Sequence, residues 1–226
     1  MARRVAGTES PTPIARSEAP APIARVDLHC HTRASFDSRS DPAAVAARAA
    51  ERGLTHLAIT DHGTCAGAEE VSAAAPDGLT VITGCEVATS DGDLIFLFVD
   101  RPPESGLTAR RAIEAGRAMG ALVGIPHPFD ASRNSLLVEP RNEPLLELVD
   151  WVEGVNGRVA SGTDNERAIR LGRRHGLPSI GASDAHTLLE IGLVVTAAVG
   201  DPSTPDGLRA WLRQPLAVVG PGLGPR

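Results

Sequence analysis

The sequence predicts an α/β protein whose strands close into a β/α barrel. Three observations carry that reading. From Arg25 onward, short and nearly continuous apolar runs alternate with stretches of helical period, the pattern of repeated βα units. Almost every apolar run is followed by histidines, carboxylates or an asparagine. In a barrel the C-terminal ends of the strands form one face, so these residues would meet there. The alternative is an open doubly wound sheet, and its GxGxxG fingerprint after the first strand is missing.

The elements follow in order. Residues 1–24 are rich in Ala, Pro, Arg and Ser, carry PIAR twice, and read as a mobile tail; the domain is expected over 25–226. RVDLHC (25–30) reads as the first strand. DPAAVAARAAERG (41–53) is a helix with Asp41 as N-cap, Pro42 in the first turn and Gly53 as terminator. THLAIT (55–60) is a strand covered on both faces. A small Ala/Glu helix near 65–75 leads to the strand LTVITGCE (79–86). SDGD (90–93) is a turn, so LIFLFV (94–99) returns as a hairpin partner or as the next staggered strand. A helix over 107–120 precedes the strand ALVGIP (121–126). NEPLLELVD (142–150) reads as a helix, WVEGVN (151–156) as a strand, and 163–176 as a helix with a basic, glycine-terminated end. LPSIGAS (177–183) is the next strand. GLVVTAAV (192–199) is read as one more, ahead of a last helix near 205–213. About seven strands with helical crossovers result.

Composition excludes several classes. The 226 residues suit a single domain, and no apolar run approaches the ~18 residues of a membrane span. Arg3 and Arg4 have no apolar stretch behind them, so no secretory signal is read and a cytoplasmic protein is expected. All 22 basic residues are arginine, and tyrosine is absent. Schiff-base lysines, P-loop lysines, carbamylated-lysine bridges and tyrosine nucleophiles are thereby ruled out. A net charge of −6 makes nucleic acid an unexpected partner. Three cysteines without CxxC spacing read as reduced thiols, Cys30 as a small core residue. The sequence does not specify an oligomeric state.

The polar residues at strand ends carry the functional reading. They are His29 and His31, Asp61 and His62, Glu86, His127, Asn156, and Asp184 with His186. Five of the seven histidines fall in this set; His56 and His175 read as surface or capping residues. A single buried histidine is more often a hydrogen-bonded core residue, and an Asp at a strand end more often a helix cap. So many imidazoles and carboxylates together would be costly without a counter-ion, and divalent metal ions remove that cost. Residues i and i+2 of a strand face one side, so His29 and His31 can reach one metal together. Glu86 has two oxygens and can bridge two metals. Mixed His/carboxylate sites suit Zn²⁺, Mn²⁺ or Fe²⁺. Asp27 shares the parity of His29 and reads either as a partner orienting a ligating imidazole or as a salt bridge at the strand start.

The segments DLHCHT, AITDHGT, GCE, PHP and ASDAH, in that order, resemble the PHP family, the polymerase-and-histidinol-phosphatase superfamily. The resemblance spans roughly residues 26–200. It implies a distorted seven-stranded β/α barrel, two to three divalent metal ions and hydrolysis of phosphate esters. By motif, His29, His31, Glu86 and Asp184 correspond to the ligands of one metal, Glu86 and His127 to those of a second, and His62 and His186 to those of a third. Asp37 stands where many members have a ligating histidine. GDLIFLFVD lacks the histidine that many carry after the conserved Glu, which leaves Asp93 or water to complete the second site.

The reaction expected is attack of a metal-bound hydroxide on phosphorus, since a bound divalent ion can lower the pKa of its water to about 7. His186 or Asp61 is the candidate proton donor to the leaving oxygen, with Asp61 equally readable as a residue supporting a ligand. Arg33, Arg133 and Arg158, with Asn156, are the candidate anchors for a small phosphorylated substrate, a phosphate monoester or nucleotide. Two other readings remain. One is C–N bond hydrolysis in the amidohydrolase manner, whose common binuclear form needs a lysine that this chain lacks. The other is a non-catalytic metal-binding accessory module.

Overall fold

The computed structural model describes residues 22–221. Of the expected tail, residues 1–21 lie outside the described residues, and the first strand already begins at Ile23, inside the stretch read as tail. The elements run β1 (Ile23–Asp27), α1 (Pro42–Glu51), β2 (His56–Ile59), α2 (Ala66–Ala74), β3 (Thr80–Ala88), β4 (Asp93–Leu97), α3 (Ala109–Ala118) and β5 (Leu122–Ile125). Two 3-10 segments follow, Leu136–Val138 and Pro140–Leu148. Then come β6 (Trp151–Asn156), α4 (Gly162–His175), β7 (Ser179–Ala182), β8 (Val195–Val199), α5 (Pro205–Leu212) and β9 (Ala217–Val219).

The strands form a single sheet in the order β7-β6-β5-β4-β3-β2-β1-β8-β9. β1, β2 and β3 are parallel, as are β5, β6 and β7. β4 is antiparallel to both its neighbours, so LIFLFV returns as a hairpin partner. The sheet nearly closes at one end. Asp184 N–H donates to the His29 carbonyl, His31 N–H donates to the Ala185 carbonyl (both 2.9 Å), and Cys30 bridges Ala185 in parallel. At its other end β1 pairs instead with antiparallel β8, which β9 extends. The barrel is therefore as expected in kind, but the sheet has nine strands rather than about seven. The two extra strands come from the C-terminal tail. Both are antiparallel to their neighbours; β8 falls within GLVVTAAV, the stretch read as one more strand, and β9 is a three-residue strand after α5 that the sequence reading did not include.

Local chemistry accounts for the helices. The Asp41 carboxylate accepts from Ala43 and Ala44 N–H at 3.0 and 3.3 Å, Pro42 opens α1, and Gly53 follows its end at φ 71°. Gly176 closes α4 in the left-handed region. NEPLLELVD differs from expectation. It winds as a 3-10 segment opened by Pro140 and containing Pro144, whose missing N–H breaks the α-helical ladder. His56 also differs. It is buried, not on the surface, with Nε2 against Asp201 (3.2 Å) and Ser203 (2.9 Å).

Both faces of the sheet are packed. On β4, Leu94 and Phe96 join Ile113 of α3 in one apolar cluster, while Ile95 and Leu97 join Trp151, Leu122 and Ile180 in another. Cys30 joins Val45, Ala46 and Ile59 in a third. The Trp151 indole lies where a Gly124 side chain would be: a Cβ there would sit 2.0 Å from its Cε2.

Gly124→Ala should therefore destabilise the fold by about 1–3 kcal/mol through overpacking. A denaturant titration checks it, and an unchanged midpoint would show that Trp151 has room to move.

Candidate active site

The closed end of the barrel carries the chemistry. His29 and His31 lie just beyond β1, His62 beyond β2, Glu86 within β3, Asp93 at the start of β4, His127 beyond β5, and Asp184 and His186 beyond β7. Most are buried; His62 and Asp37 are the more open ones. Among the described residues, three donor groups could each hold an ion: His29, His31 and Asp184; Glu86, Asp93 and His127; and His31, Asp37, His62 and His186.

The outer atoms of four histidines fix what their inner atoms do. His29 Nδ1 sits 2.7 Å from Glu153 Oε1, which can only accept, so Nδ1 carries the proton. Ser35 gives its single hydroxyl proton to Asp61 Oδ1 (2.7 Å), so His31 Nδ1, 3.0 Å away, donates to it. Ser135 donates to the His127 carbonyl and accepts from His127 Nδ1. His186 Nδ1 donates to the Asp184 carbonyl at 2.9 Å. In the neutral ring each of these four Nε2 atoms is then a bare lone pair. These lone pairs meet acceptors: His29 Nε2 lies 3.0 Å from His31 Nε2 and 3.2 Å from Glu86 Oε2. His127 Nε2 faces Glu86 Oε1, and His186 Nε2 faces Asp37 Oδ2, each at 3.0 Å. Acceptors aimed at one another with no proton between them are the arrangement a metal cation satisfies, so the donor set fits divalent ions.

The field at the site favours positive charge among these atoms, the charge a metal ion would bring. Burial opposes charge on His29, yet Asp184, Glu153 and Glu86 together hold its pKa well above the ordinary value. Burial would raise Glu86, but His29, His127 and His31 hold it well below the usual carboxylate range. Asp93 is pushed up to about 6 by burial and by the nearby charge of Glu86. Glu86 turns one oxygen toward His127 and the other toward His29, His31 and His62. Asp93 joins His127 and Glu86 in one buried donor group.

Two of these candidate donors sit on unusual backbone. His127 has φ 26° and Asp184 φ 53°, a region that non-glycine residues seldom enter. Asp184 is held there by its outer oxygen, which accepts from Asn156 Nδ2 (3.0 Å) and from Arg133, leaving Oδ1 facing His29 and His31.

Several candidates fall elsewhere. Arg33 turns away and pairs with Asp41 and Glu70 on the surface, because those two carboxylates flank its loop. Asn156 is buried and bonded to Glu153 and Asp184, so it positions a ligand and has no contact left for substrate. Asp61 is fully buried beneath the mouth, and its oxygens accept from Thr32 N, Thr32 Oγ1 and Ser35 Oγ. That role supports His31 through Ser35 and removes Asp61 as a proton donor to substrate. Asp27 bonds Ser183 N–H (3.0 Å) and the backbone of His29, not an imidazole ring. Arg133 and Arg158 do line the mouth, with His186.

The residue that sequence reasoning missed is Glu153. It lies inside β6, fully buried, with Oε1 on His29 Nδ1 and Oε2 accepting from His127 N–H and Asn156 Nδ2, both at 2.8 Å. Its one sequence signal is a carboxylate in the middle of a buried strand, where an unpaired charge is rarely found.

A barrel with this His/carboxylate mouth defines a metal-dependent phosphoesterase. The chain belongs to the PHP family: the PHP domain profile matches residues 27–152, more than half its length, and the PHP-associated profile matches 162–214. It is similar to the 3′,5′-nucleoside bisphosphate phosphatase of Chromobacterium violaceum, 37% identical over 121 residues, which are 47% of this chain and 42% of that enzyme. Solved structures share the fold at 19% identity. A two-domain protein of Bacteroides vulgatus with a PHP-like metal-dependent phosphoesterase aligns over 92% of this chain and 70% of its own, TM-score 0.73. The lesion-specific endonuclease Q of Pyrococcus furiosus aligns over 90% of this chain and 60% of its own, TM-score 0.70.

Removing the charge of Glu153 while keeping its shape should loosen the metal. Glu153→Gln is expected to weaken metal affinity about 10–100-fold with the fold intact. Metal content after dialysis against a weak chelator, read beside circular dichroism, checks this; full retention would assign Glu153 to packing alone.

Proposed function

We propose that the chain hydrolyses phosphate monoesters of small molecules, nucleotides included, using two to three divalent ions held by His29, His31, Asp37, His62, Glu86, Asp93, His127, Asp184 and His186. The observation that carries this reading is the set of bare imidazole nitrogens around the shared carboxylate of Glu86, beside two arginines at the mouth. Zn²⁺, Mn²⁺ and Fe²⁺ match the donor types. Such ions, when bound, supply an ionised water at neutral pH and neutralise charge on the phosphoryl oxygens.

The chain's own residues do the rest. Glu153, Ser35, Ser135 and the Asp184 carbonyl hold four imidazoles in the ligating tautomer. Arg158, 3.6 Å from Glu190 and partly exposed, presents a guanidinium to the mouth and can grip a phosphate with two parallel hydrogen bonds. Arg133 is tied to Asp184, so it couples phosphate binding to the placement of a ligand. As a ligand through Nε2 whose Nδ1 proton is held by the Asp184 carbonyl, His186 has no proton of its own to pass at the leaving oxygen, and Asp61 is out of reach. The chain spans less than half of the nucleotide phosphatase it resembles, and that relative supports nucleotides as the first substrates to try. No helix among the described residues is long and apolar enough to cross a membrane.

The test is a phosphate-release screen with Mn²⁺ or Zn²⁺ over nucleoside mono- and bisphosphates, sugar phosphates, histidinol phosphate, an amide series and a single-stranded oligonucleotide. Release from small monoesters supports the proposal; turnover of amides alone, or of the oligonucleotide alone, overturns it. Asp184→Ala and His186→Ala should lower kcat by more than about 100-fold while circular dichroism stays unchanged. Arg158→Ala should instead raise KM about tenfold with kcat nearly constant, since it makes the same contact in ground and transition states. Full activity in Asp184→Ala would sink the site assignment.

A further inference from the structure

The chain has six Phe and Trp residues and no Tyr. Both tryptophans, Phe96 and Phe129 are buried, and Phe98 is half-buried. Phe36 alone is laid open, at 88% exposure, and it stands at the rim of the active-site cavity. Exposing a large aromatic forgoes the stabilisation its burial would give, so the position needs a reason.

Looseness is not that reason. Phe36 sits on the loop between the ligands His31 and Asp37, and that loop is pinned on both sides. Ser35 donates to Asp61 (2.7 Å), Ser38 and Ser40 donate to the His186 carbonyl (2.9 and 3.1 Å), and Arg33 N–H donates to the Ser40 carbonyl (2.9 Å). The ring is stacked on His62, with centroids 4.9 Å apart and planes 27° apart. One face is thus fixed against a ligand imidazole, and the high exposure leaves the other open.

The cavity is built for more than a phosphate. It measures about 880 Å³, within the range of pockets that enclose a whole small molecule. Its lining divides by chemistry. The metal-ligating groups, Arg133 and Arg158 can take phosphate, whereas Phe36, Val87, Pro102 and Pro103 offer apolar surface.

The geometry points to Phe36 as a stacking platform for a planar leaving group, so that the preferred substrates of the phosphoesterase site are phosphates of nucleosides or of comparable flat aromatic alcohols. This rests on the phosphoesterase reading and names its substrate class. A preset aromatic face binds a base at little entropic cost, and stacking of this kind suits any planar ring without reading its edge. Phe36 acts here in binding and specificity and has no part in the chemical step.

The test uses Mn²⁺-loaded full-length protein and two phosphonates, in which a CH₂ replaces the ester oxygen so that nothing turns over. One is the methylene phosphonate analogue of adenosine monophosphate, the other butylphosphonate. Calorimetric titration of wild type should show the nucleoside analogue binding about tenfold or more tightly than the alkyl one. Phe36→Ala should bring the ratio of dissociation constants close to one, and Phe36→Trp should keep it, with metal content equal in all three proteins. A preference that survives Phe36→Ala overturns the platform, as does an equal loss for both ligands with metal lost, which would make Phe36 a prop for His62. Equal binding of the two analogues by wild type overturns the substrate class while leaving the phosphoesterase reading intact. Binding of neither analogue overturns both.

Discussion

Everything at the mouth of this barrel depends on acceptors pointed at one another. Lone pairs of neutral imidazoles and carboxylate oxygens meet about 3 Å apart in a buried pocket. Buried polar groups in that arrangement repel unless a cation sits between them. The surrounding structure keeps the cation from being a proton on the wrong atom. Four of the five imidazoles spend their one N–H on a fixed outer acceptor, and three of those acceptors are themselves bonded: Glu153 by Asn156 and the His127 backbone, Ser35 by Asp61, Ser135 by the His127 carbonyl. Two layers of side chains behind the mouth thus serve to aim nitrogen lone pairs.

The barrel supplies the distances. Because β1 is shared, its lower part pairing with β8 and its upper end with the residues after β7, the chain can bring His29 and Asp184 into adjacent positions across the seam. The hairpin from β3 into β4 does similar work on the far side. It returns the chain at Asp93, opposite Ala88 in register and two residues beyond Glu86 on β3, so a carboxylate reaches the site without a new crossover. A sheet of strictly parallel strands would have placed the start of that strand at the other end of the barrel.

Much of this was legible beforehand, and what was not has physical causes. The caps of α1 and the glycine end of α4 are written locally, in Asp41, Pro42, Gly53 and Gly176. The histidines of the mouth stood out because apolar strands ended in them. Glu153 did not, since a single strand does not tell which face looks into a barrel or what crosses to meet it; its partner His29 is 124 residues away. Arg33 was misplaced for a related reason: the loop after the first strand has both sides open to arginine, and the surface carboxylates Asp41 and Glu70 decide between them. Asp61 was read either as a proton donor or as a residue supporting a ligand, and its burial against Thr32 and Ser35 fits the second role. The 3-10 winding of 140–148 follows from Pro140 and Pro144, which an apolar period does not register.

The left-handed backbone of His127 and Asp184 has a bearing on how such a protein evolves. Strain at these candidate donors and crowded lone pairs both weigh against the folded chain when no ion is bound, and glycine at either position would relieve both. Folding and chemistry therefore pull this site in opposite directions. A laboratory selection for thermal tolerance alone, run in chelator, would enrich inactive chains first, and only selection that includes metal makes durability and turnover favour the same sequences.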